Sequence, residues 1–379
     1  MRVLHVVTLY TPMNDFGGPT RVAINLCRNL RTRGVDARIA TLGDRFDGPL
    51  PPAIEGVPAF MFQARHVLPR FEVSGITSPA LLARARRLVE RADVVHVHLM
   101  RDLLTLPFAL IALNCGRPVV LQTHGMIDPT ENRVARLVDS LALRRVLRQA
   151  DGLLYLTEME RDLVQAVIPE TPLRNTHRLV NGVELRERRP PRGKRPPTVL
   201  YLARVQERKR PGDFVRAMPV VLKKYPKARF VLAGPDTGAL AQPMLDLARD
   251  LGVGDSLTYV GALGHEEVLE QLRRSDVYVL PSVVEPFAVS ILEAMSVGLP
   301  VVVTRTGGLS PDVEEAGAGR VTDSRPDTDN GELVGRAILE LLEPKANLAA
   351  SNAALQLIHD KFSIAAVVDT LLDVYAGVR

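Results

Sequence analysis

Tryptophan is absent from the 379 residues, and aromatic side chains make up only 4% of them. Few platforms remain on which bases could stack, which argues against a nucleic-acid partner. Cys27 and Cys115 are the only cysteines, too few for a disulfide framework or a thiolate metal cluster. Both fall in apolar segments expected to be helical, as buried free thiols of a reducing compartment. Long hydrophobic runs are also missing. Leu103–Cys115 holds Pro107 and falls short of the roughly 20 residues a spanning helix needs. The opening Val3–Tyr10 run is interrupted by His5 and Thr8 and lacks a small-residue cleavage site, so it reads as a first strand. The expected location is the cytoplasm, with peripheral contact at the inner face of a membrane left open.

Lysine is scarce as well, 7 residues against 41 Arg. Arginine suits bidentate contact with phosphate, although a GC-rich genome gives the same bias. Net charge is +5 overall but unevenly spread: +6 over residues 1–183, +4 over 184–197 and −5 over 198–379. The length fits about two domains.

Short Val- and Leu-rich runs alternate with helical patterns along the whole chain. In the front half strands are expected near 2–10, 36–42, 93–99, 118–123, 151–157 and 178–183, with helices near 19–33, 79–91, 103–114, 131–149 and 158–167. The alternation repeats with strands near 198–203, 228–233, 256–262, 276–281 and 300–304 and helices near 211–224, 239–251, 265–274 and 288–298. Helical patterns at 331–342, 345–359 and 363–377 close the chain. Strands without polar alternation imply burial on both faces, as in parallel sheets covered by helices. Two such series imply an α/β protein of two doubly wound, Rossmann-like domains, with ligands beyond the carboxyl ends of the strands. The expected division is two Rossmann-like domains, 1–183 and 198–362, joined by 184–197 (rich in Pro and charge) as a hinge-like linker and followed by a closing helix over 363–379.

The most specific segment is Glu285-Pro-Phe-Ala-Val-Ser-Ile-Leu-Glu293, a loop after an expected strand followed by a helix. Its two carboxylates can border one cavity, and the helix start presents backbone N–H groups suited to phosphate or sugar hydroxyls. A capping Glu and a solvated Glu give the same pattern.

Glu285 and Glu293 with seven residues between them, then Gly298-Leu-Pro-Val and Thr306-Gly307-Gly308, resemble the signature of retaining glycosyltransferases of family 4. Further matches in the same order span nearly the whole chain: Phe16-Gly17-Gly18, Asp93-Val-Val-His-Val-His98, Thr123-His124-Gly125, Leu156-Thr157-Glu158, Val180-Asn181-Gly182-Val183 and Ala203-Arg204…Lys209. The resemblance implies the GT-B architecture, two Rossmann-like domains facing across a cleft, with 1–183 as the acceptor domain, 198–362 as the nucleotide-sugar donor domain, and the C-terminal helices, 363–379 among them, packing back toward the front domain. It also implies transfer, with retention, of a hexose or N-acetylhexosamine from a nucleotide sugar, UDP ahead of GDP. The receiving group is a hydroxyl of a glycan, lipid-linked or small-molecule acceptor.

The same resemblance implies the roles. Arg204 and Lys209 clamp the donor diphosphate, Glu285 meets sugar hydroxyls, Glu293 meets the ribose, and His124 orients the sugar through a hydroxyl. The catalytic set is His124, Arg204, Lys209 and Glu285. The donor-binding set is Gly17, Gly18, Arg204, Lys209, Glu285, Phe287, Ala288, Val289 and Glu293. No cofactor and no essential metal are expected. Asp327-Thr-Asp329 reads as a turn before a helix, and His96 with His98, lacking an evident third ligand, read as packed or hydrogen-bonded rings. Ala288, Ala203 and Arg210 stand where the family usually has glycine. Arg133, Arg136, Arg144, Arg145 and Arg148 fall on one expected helix among apolar residues, a pattern shared by solvated helices and by helices resting on an anionic bilayer. Two other readings keep the fold: a catalytically silent subunit acting as a binding partner, which predicts loss of Arg204, Lys209, Glu285 or Glu293, and a sugar phosphorylase or epimerase.

Overall fold

The computed structural model describes Met1 to Arg379 except residues 13–17, 284, 286, 326 and 327 and the side chain of His265. Its contacts divide the chain into two units, Met1–Asn181 with Ile364–Arg379, and Gly182–Ser363.

The first unit runs β1 (Arg2–Tyr10), α1 (Gly18–Thr32), β2 (Asp36–Gly43), β3 (Ala53–Ile54), β4 (Val57–Gln63), β5 (Arg65–His66), β6 (Ile76–Thr77), α2 (Pro79–Glu90), β7 (Val94–His98), α3 (Thr105–Asn114), β8 (Val119–Gln122), α4 (Arg133–Val138), α5 (Arg144–Gln149), β9 (Gly152–Tyr155), α6 (Glu158–Val167) and β10 (Thr176–Arg178). The second continues with β11 (Thr198–Leu202), α7 (Pro211–Lys224), β12 (Arg229–Ala233), α8 (Ala241–Asp250), β13 (Leu257–Gly261), α9 (His265–Arg274), β14 (Val277–Leu280), α10 (Val289–Ser296), β15 (Val301–Thr304), α11 (Ser310–Ala316), β16 (Gly319–Thr322), α12 (Gly331–Leu342) and α13 (Pro344–Leu357). A last helix, α14 (Ile364–Gly377), returns to the first unit.

Alternate residues of the central strands enter two separate cores, so the first sheet is covered on both faces. Leu4, Val6, Val95, Val97, Val119 and Leu121 pack with α2 and α3 on one face. Val3, Val7, Val94, Val120 and Leu154 pack on the other with α1 and with Val367, Val368, Leu371 and Val374 of α14. The strand order is β10-β9-β8-β7-β1-β2-β4-β3, parallel except for the β3–β4 pair. In the second unit the order is β13-β12-β11-β14-β15-β16, all parallel. Each sheet therefore reverses its winding once, between β1 and β7 and between β11 and β14. In doubly wound sheets ligands bind beyond the carboxyl ends of the strands at that reversal.

Three expectations are corrected. Residues 184–197 are not a free hinge. The Arg189 amide bonds the Val297 carbonyl at 2.9 Å, and its buried guanidinium reaches the carbonyls of Gly298 (3.1 Å) and Ser275 (3.4 Å). Arg195 forks onto Asp276 at 2.8 and 3.0 Å. Two of its arginines, Arg189 and Arg195, serve buried acceptors rather than solvent. The helix expected over 131–149 runs from Arg133 to Gln149, but it widens into a π-helical stretch at Asp139–Leu143. Leu143, Val146 and Leu147 reach the core, whereas Val134, Leu137 and Leu141 stay exposed. The strand expected at 178–183 is Thr176–Arg178. β4, β16 and α11 were not anticipated; β4 carries Pro58 near its start and α11 is a seven-residue Ser-Pro-Asp segment. No helix among the described residues is long and apolar enough to cross a membrane.

Candidate functional site

In the second unit the two strands at the reversal deliver opposite charges. After β11 the chain passes Ala203 and the exposed Arg204, makes a short turn over Glu207–Lys209, and enters α7. After β14 it passes Ser282 to Glu285 and reaches α10. Lys209 and Glu285, both buried, form an ion pair. Ser282 Oγ donates to the same carboxylate at 3.0 Å, and the Glu285 carbonyl accepts from the Gly308 amide at 2.8 Å. The two loops are also stitched directly: the Val283 amide and Ser282 Oγ both donate to the Arg208 carbonyl, at 3.2 and 3.1 Å.

Two buried tyrosines hold the loop that carries Arg204. Tyr278 Oη donates to the Leu202 carbonyl at 3.1 Å and meets Ser290 Oγ at 2.8 Å; Tyr201 Oη donates to the Arg204 carbonyl at 3.3 Å. Burial raises both phenol pKa values, and the carboxylates of Glu293 and Glu285 add to the rise at Tyr278. Both therefore remain hydrogen-bond donors at neutral pH. Gly234 closes against the same loop: a Cβ there would meet the Ala203 carbonyl oxygen at 1.9 Å, and its φ is +130°. Arg210 takes a left-handed conformation, φ 53° and ψ 48°, which explains why glycine suits this position. Its strain is held by Asp213 at 3.0 Å and the Thr328 carbonyl at 2.6 Å.

Ser282, Glu285, Ala288, Thr304, Gly307 and Gly308 line one small cavity. Ala288, buried, sits at the start of α10, and Val289 is exposed on its first turn. Phe287 and Glu293 are half-buried. A cation pair at the end of one strand and a carboxylate cradle at the end of its neighbour suit a ligand that is anionic at one end and hydroxylated at the other.

In the first unit, His124 follows β8 in a tight turn, with φ +52° at His124 and +72° at Gly125. The Met126 amide closes the turn on the Thr123 carbonyl at 2.9 Å. Buried Glu160 clamps it, accepting from Thr123 Oγ1 and the Gly125 amide at 2.5 Å each and from the Leu156 amide at 2.6 Å. His124 Nε2 lies 2.7 Å from His98 Nδ1. Burial pushes the His124 ring down to about 3, so it is neutral near pH 7. Gly18 opens α1, and among the described residues beyond its own helix none comes within 4 Å of where a Cβ would stand. Gly17 and Asp327 lie outside the described residues.

Two family models divide the chain as the contacts do. Residues 17–182 match a glycosyl transferase 4-like domain and residues 184–354 match glycosyl transferases group 1. The chain belongs to the family 4 glycosyltransferases. A D-inositol 3-phosphate glycosyltransferase of Saccharomonospora viridis is 27% identical over 98% of this chain and 92% of its own. A glycogen synthase of Mycobacterium tuberculosis is 28% identical over 76% of this chain and 70% of its own. Among solved structures, Anabaena HepE in complex with UDP superposes with a TM-score of 0.73 at 17% identity, covering 98% of this chain and 99% of that one. A sucrose-phosphate synthase of Thermosynechococcus elongatus gives 0.68 at 19% identity, covering 99% and 98%. These neighbours share the GT-B fold.

Within this glycosyltransferase the second unit brings Lys209 and Glu285 into contact, while Arg204 points to solvent five residues earlier. Sequence reasoning missed Tyr201, Tyr278, Glu160 and His5. One signal was available for the last: Arg2-Val-Leu-His5 and Asp93-Val-Val-His96 match in spacing. The Arg2 side chain bonds Asp93 at 2.8 Å, and β1 pairs with β7 so that His5 lies opposite His96.

Proposed function

We propose that this chain transfers a hexose or N-acetylhexosamine, with retention, from a UDP-sugar to a hydroxyl of a glycan, lipid-linked or small-molecule acceptor. The observation that carries the reading is the Lys209–Glu285 pair at the winding reversal, with exposed Arg204 beside it in sequence. The relatives that act on inositol phosphate and glycogen, and the neighbours solved with UDP and UDP-glucose, support the donor and acceptor classes.

In this reading Arg204 and Lys209 neutralise the charge that grows on the diphosphate as the anomeric carbon–oxygen bond breaks. Preorganised cations aimed at developing charge are worth about 10²–10³ in rate for each group removed. They supply the positive charge that a divalent cation supplies elsewhere, so no metal is needed for departure. Glu285 accepts hydrogen bonds from sugar hydroxyls, Glu293 meets the ribose, and His124 accepts from a hydroxyl of the ligand. The acceptor oxygen attacks from the face the diphosphate leaves, forming the new carbon–oxygen bond, and its proton passes to the departing phosphate oxygen. Gly18, Phe287, Ala288 and Val289 shape the surroundings of the donor.

Incubation with UDP-glucose or UDP-N-acetylglucosamine and an inositol phosphate or glycan acceptor, followed by proton NMR, tests this. The expected product shows the small anomeric coupling of the α-configuration inherited from the donor. A large coupling overturns retention; no consumption of any nucleotide sugar overturns transfer.

A further inference from the structure

Four histidines and one tyrosine form an unbroken chain of contacts through the core of the first unit. His124 Nε2 lies 2.7 Å from His98 Nδ1, and His98 Nε2 lies 3.1 Å from His5 Nδ1. His5 Nε2 lies 3.2 Å from Tyr375 Oη, which in turn lies 2.6 Å from His96 Nδ1. His5, His96, His98 and Tyr375 are buried. The rings come from β1, β7 and the turn after β8, the central strands at the winding reversal, and the tyrosine comes from α14.

A metal centre is the first alternative, because nitrogens of His5, His96 and His98 lie within 4.8 Å of one another. Ring orientation speaks against it. His96 and His98 stack with centroids 4.6 Å apart and planes 4° from parallel. Ligand lone pairs lie in the ring plane, and two stacked rings do not aim theirs at one ion. Three of the four chain contacts also occupy nitrogens of His5 and His98.

Proton bookkeeping then constrains the chain. Burial holds all four imidazoles far below the usual histidine range, so each is neutral, with one N–H donor and one bare acceptor. Such a chain runs in one of two directions; the hydroxyl in the middle can relay either, and the unequal lengths of its two contacts mark which one is taken. Tyr375 has one proton to give. Hydroxyl donors approach their acceptors more closely than ring N–H donors do. The 2.6 Å contact is thus O–H donation to His96 Nδ1, and the 3.2 Å contact is N–H donation from His5 Nε2 to the phenol oxygen. Every other position follows: His5 Nδ1 accepts from His98 Nε2–H, and His98 Nδ1 accepts from His124 Nε2–H. At the inner end His96 Nε2 carries the remaining proton, and the Gln122 side chain acts on that ring through a hydrogen bond.

We propose that Tyr375 is a positioning residue that joins His5 to the His96 end in one directed chain, so that His124 holds its proton on Nε2 and offers Nδ1 as a bare acceptor to a ligand hydroxyl. A helix from the end of the chain thereby decides the chemistry presented after β8. The ring receives a hydrogen bond and gives none, which selects hydroxyl donors over carbonyl or phosphate oxygens at that spot. The consequence for substrate rests on the transfer reading above; the tautomer itself does not.

The test is long-range nitrogen–proton NMR on ligand-free, ¹⁵N-histidine-labelled protein at pH 7, with the His124 signals assigned by their loss in His124→Gln. The expected spectrum shows protonated Nε2 and unprotonated Nδ1 for His124. In Tyr375→Phe the anchor is gone, and an Nδ1–H population of His124 should emerge. A wild-type His124 protonated on Nδ1 or on both nitrogens, a zinc-shifted spectrum, or an unchanged His124 tautomer in folded Tyr375→Phe each overturns the proposal. The wild-type spectrum decides the matter even where the variant fails to fold. Because no turnover is measured, failure here is separable from failure of the transfer reading.

Discussion

Lys209→Met should destabilise the second unit by about 3–5 kcal/mol, because it leaves the Glu285 carboxylate buried without a counter-charge. Glu285→Gln should do the same to the Lys209 ammonium. The double variant should lie close to wild type, since replacing both members of a buried pair is often nearly neutral. Urea titration checks this: the single variants lose midpoint while the double recovers it at constant slope. Activity should separate from stability. All three variants should lose about 10²–10³ or more in turnover, because the cation and the acceptor they remove face growing charge and sugar hydroxyls. Additive stability losses would show that the two groups are not coupled. Retained turnover in the restabilised double variant would remove them from the site.

Asp276→Asn should have a comparable effect on stability for a different reason. Asp276 is buried and accepts from the Thr198 amide at 2.8 Å, from Arg195 at 2.8 and 3.0 Å, and lies 3.6 Å from Arg189. Burial brings the Arg189 guanidinium down to about 10. At any pH below that value its charge by itself opposes folding, and Asp276 offsets the opposition. The variant should lose about 3–5 kcal/mol, and Arg189→Met added to it should restore much of the loss. Limited trypsin digestion gives the second readout. Wild-type protein should resist cleavage between Arg188 and Arg195, whereas Asp276→Asn should be cut there. Rapid cutting of wild type would mean that 184–197 is a free linker after all.

The strands and most helices were legible because they rest on local pattern. VVLQ and GLLY have no polar alternation, and all their residues are buried; VVHVH does alternate valine with histidine, yet it too is buried throughout. The helices at 79–90 and 211–224 begin at prolines, which mark a first turn. Glu285 stood out as a charge after an apolar strand, and Lys209 through the resemblance to family 4. What joined them did not stand out, because their contact spans 76 positions and depends on which strand lies next to which. Arg189 and Asp276 show the same limit: a Pro- and Arg-rich segment resembles solvated chain until a buried carboxylate 87 residues away is seen to hold it. Tyr201 and Tyr278 read as core aromatics, and only their hydroxyls' partners reveal that they carry the Arg204 loop. The π-helical stretch at 139–143 is invisible in composition, since every residue there is compatible with an α-helix.

The central claim is that the carboxyl ends of β11 and β14 bind the diphosphate of a nucleotide sugar through Arg204 and Lys209. Thermal unfolding against a panel of UDP-, GDP- and ADP-sugars, run on wild type and on Arg204→Ala, tests it most directly. A cognate donor at 100 times its dissociation constant should stabilise wild type by about 2.7 kcal/mol. The same concentration should stabilise Arg204→Ala little or not at all, although Arg204 is exposed and its loss should leave the free protein's midpoint unchanged. Equal stabilisation of both proteins, or none of wild type by any nucleotide sugar, would contradict the account.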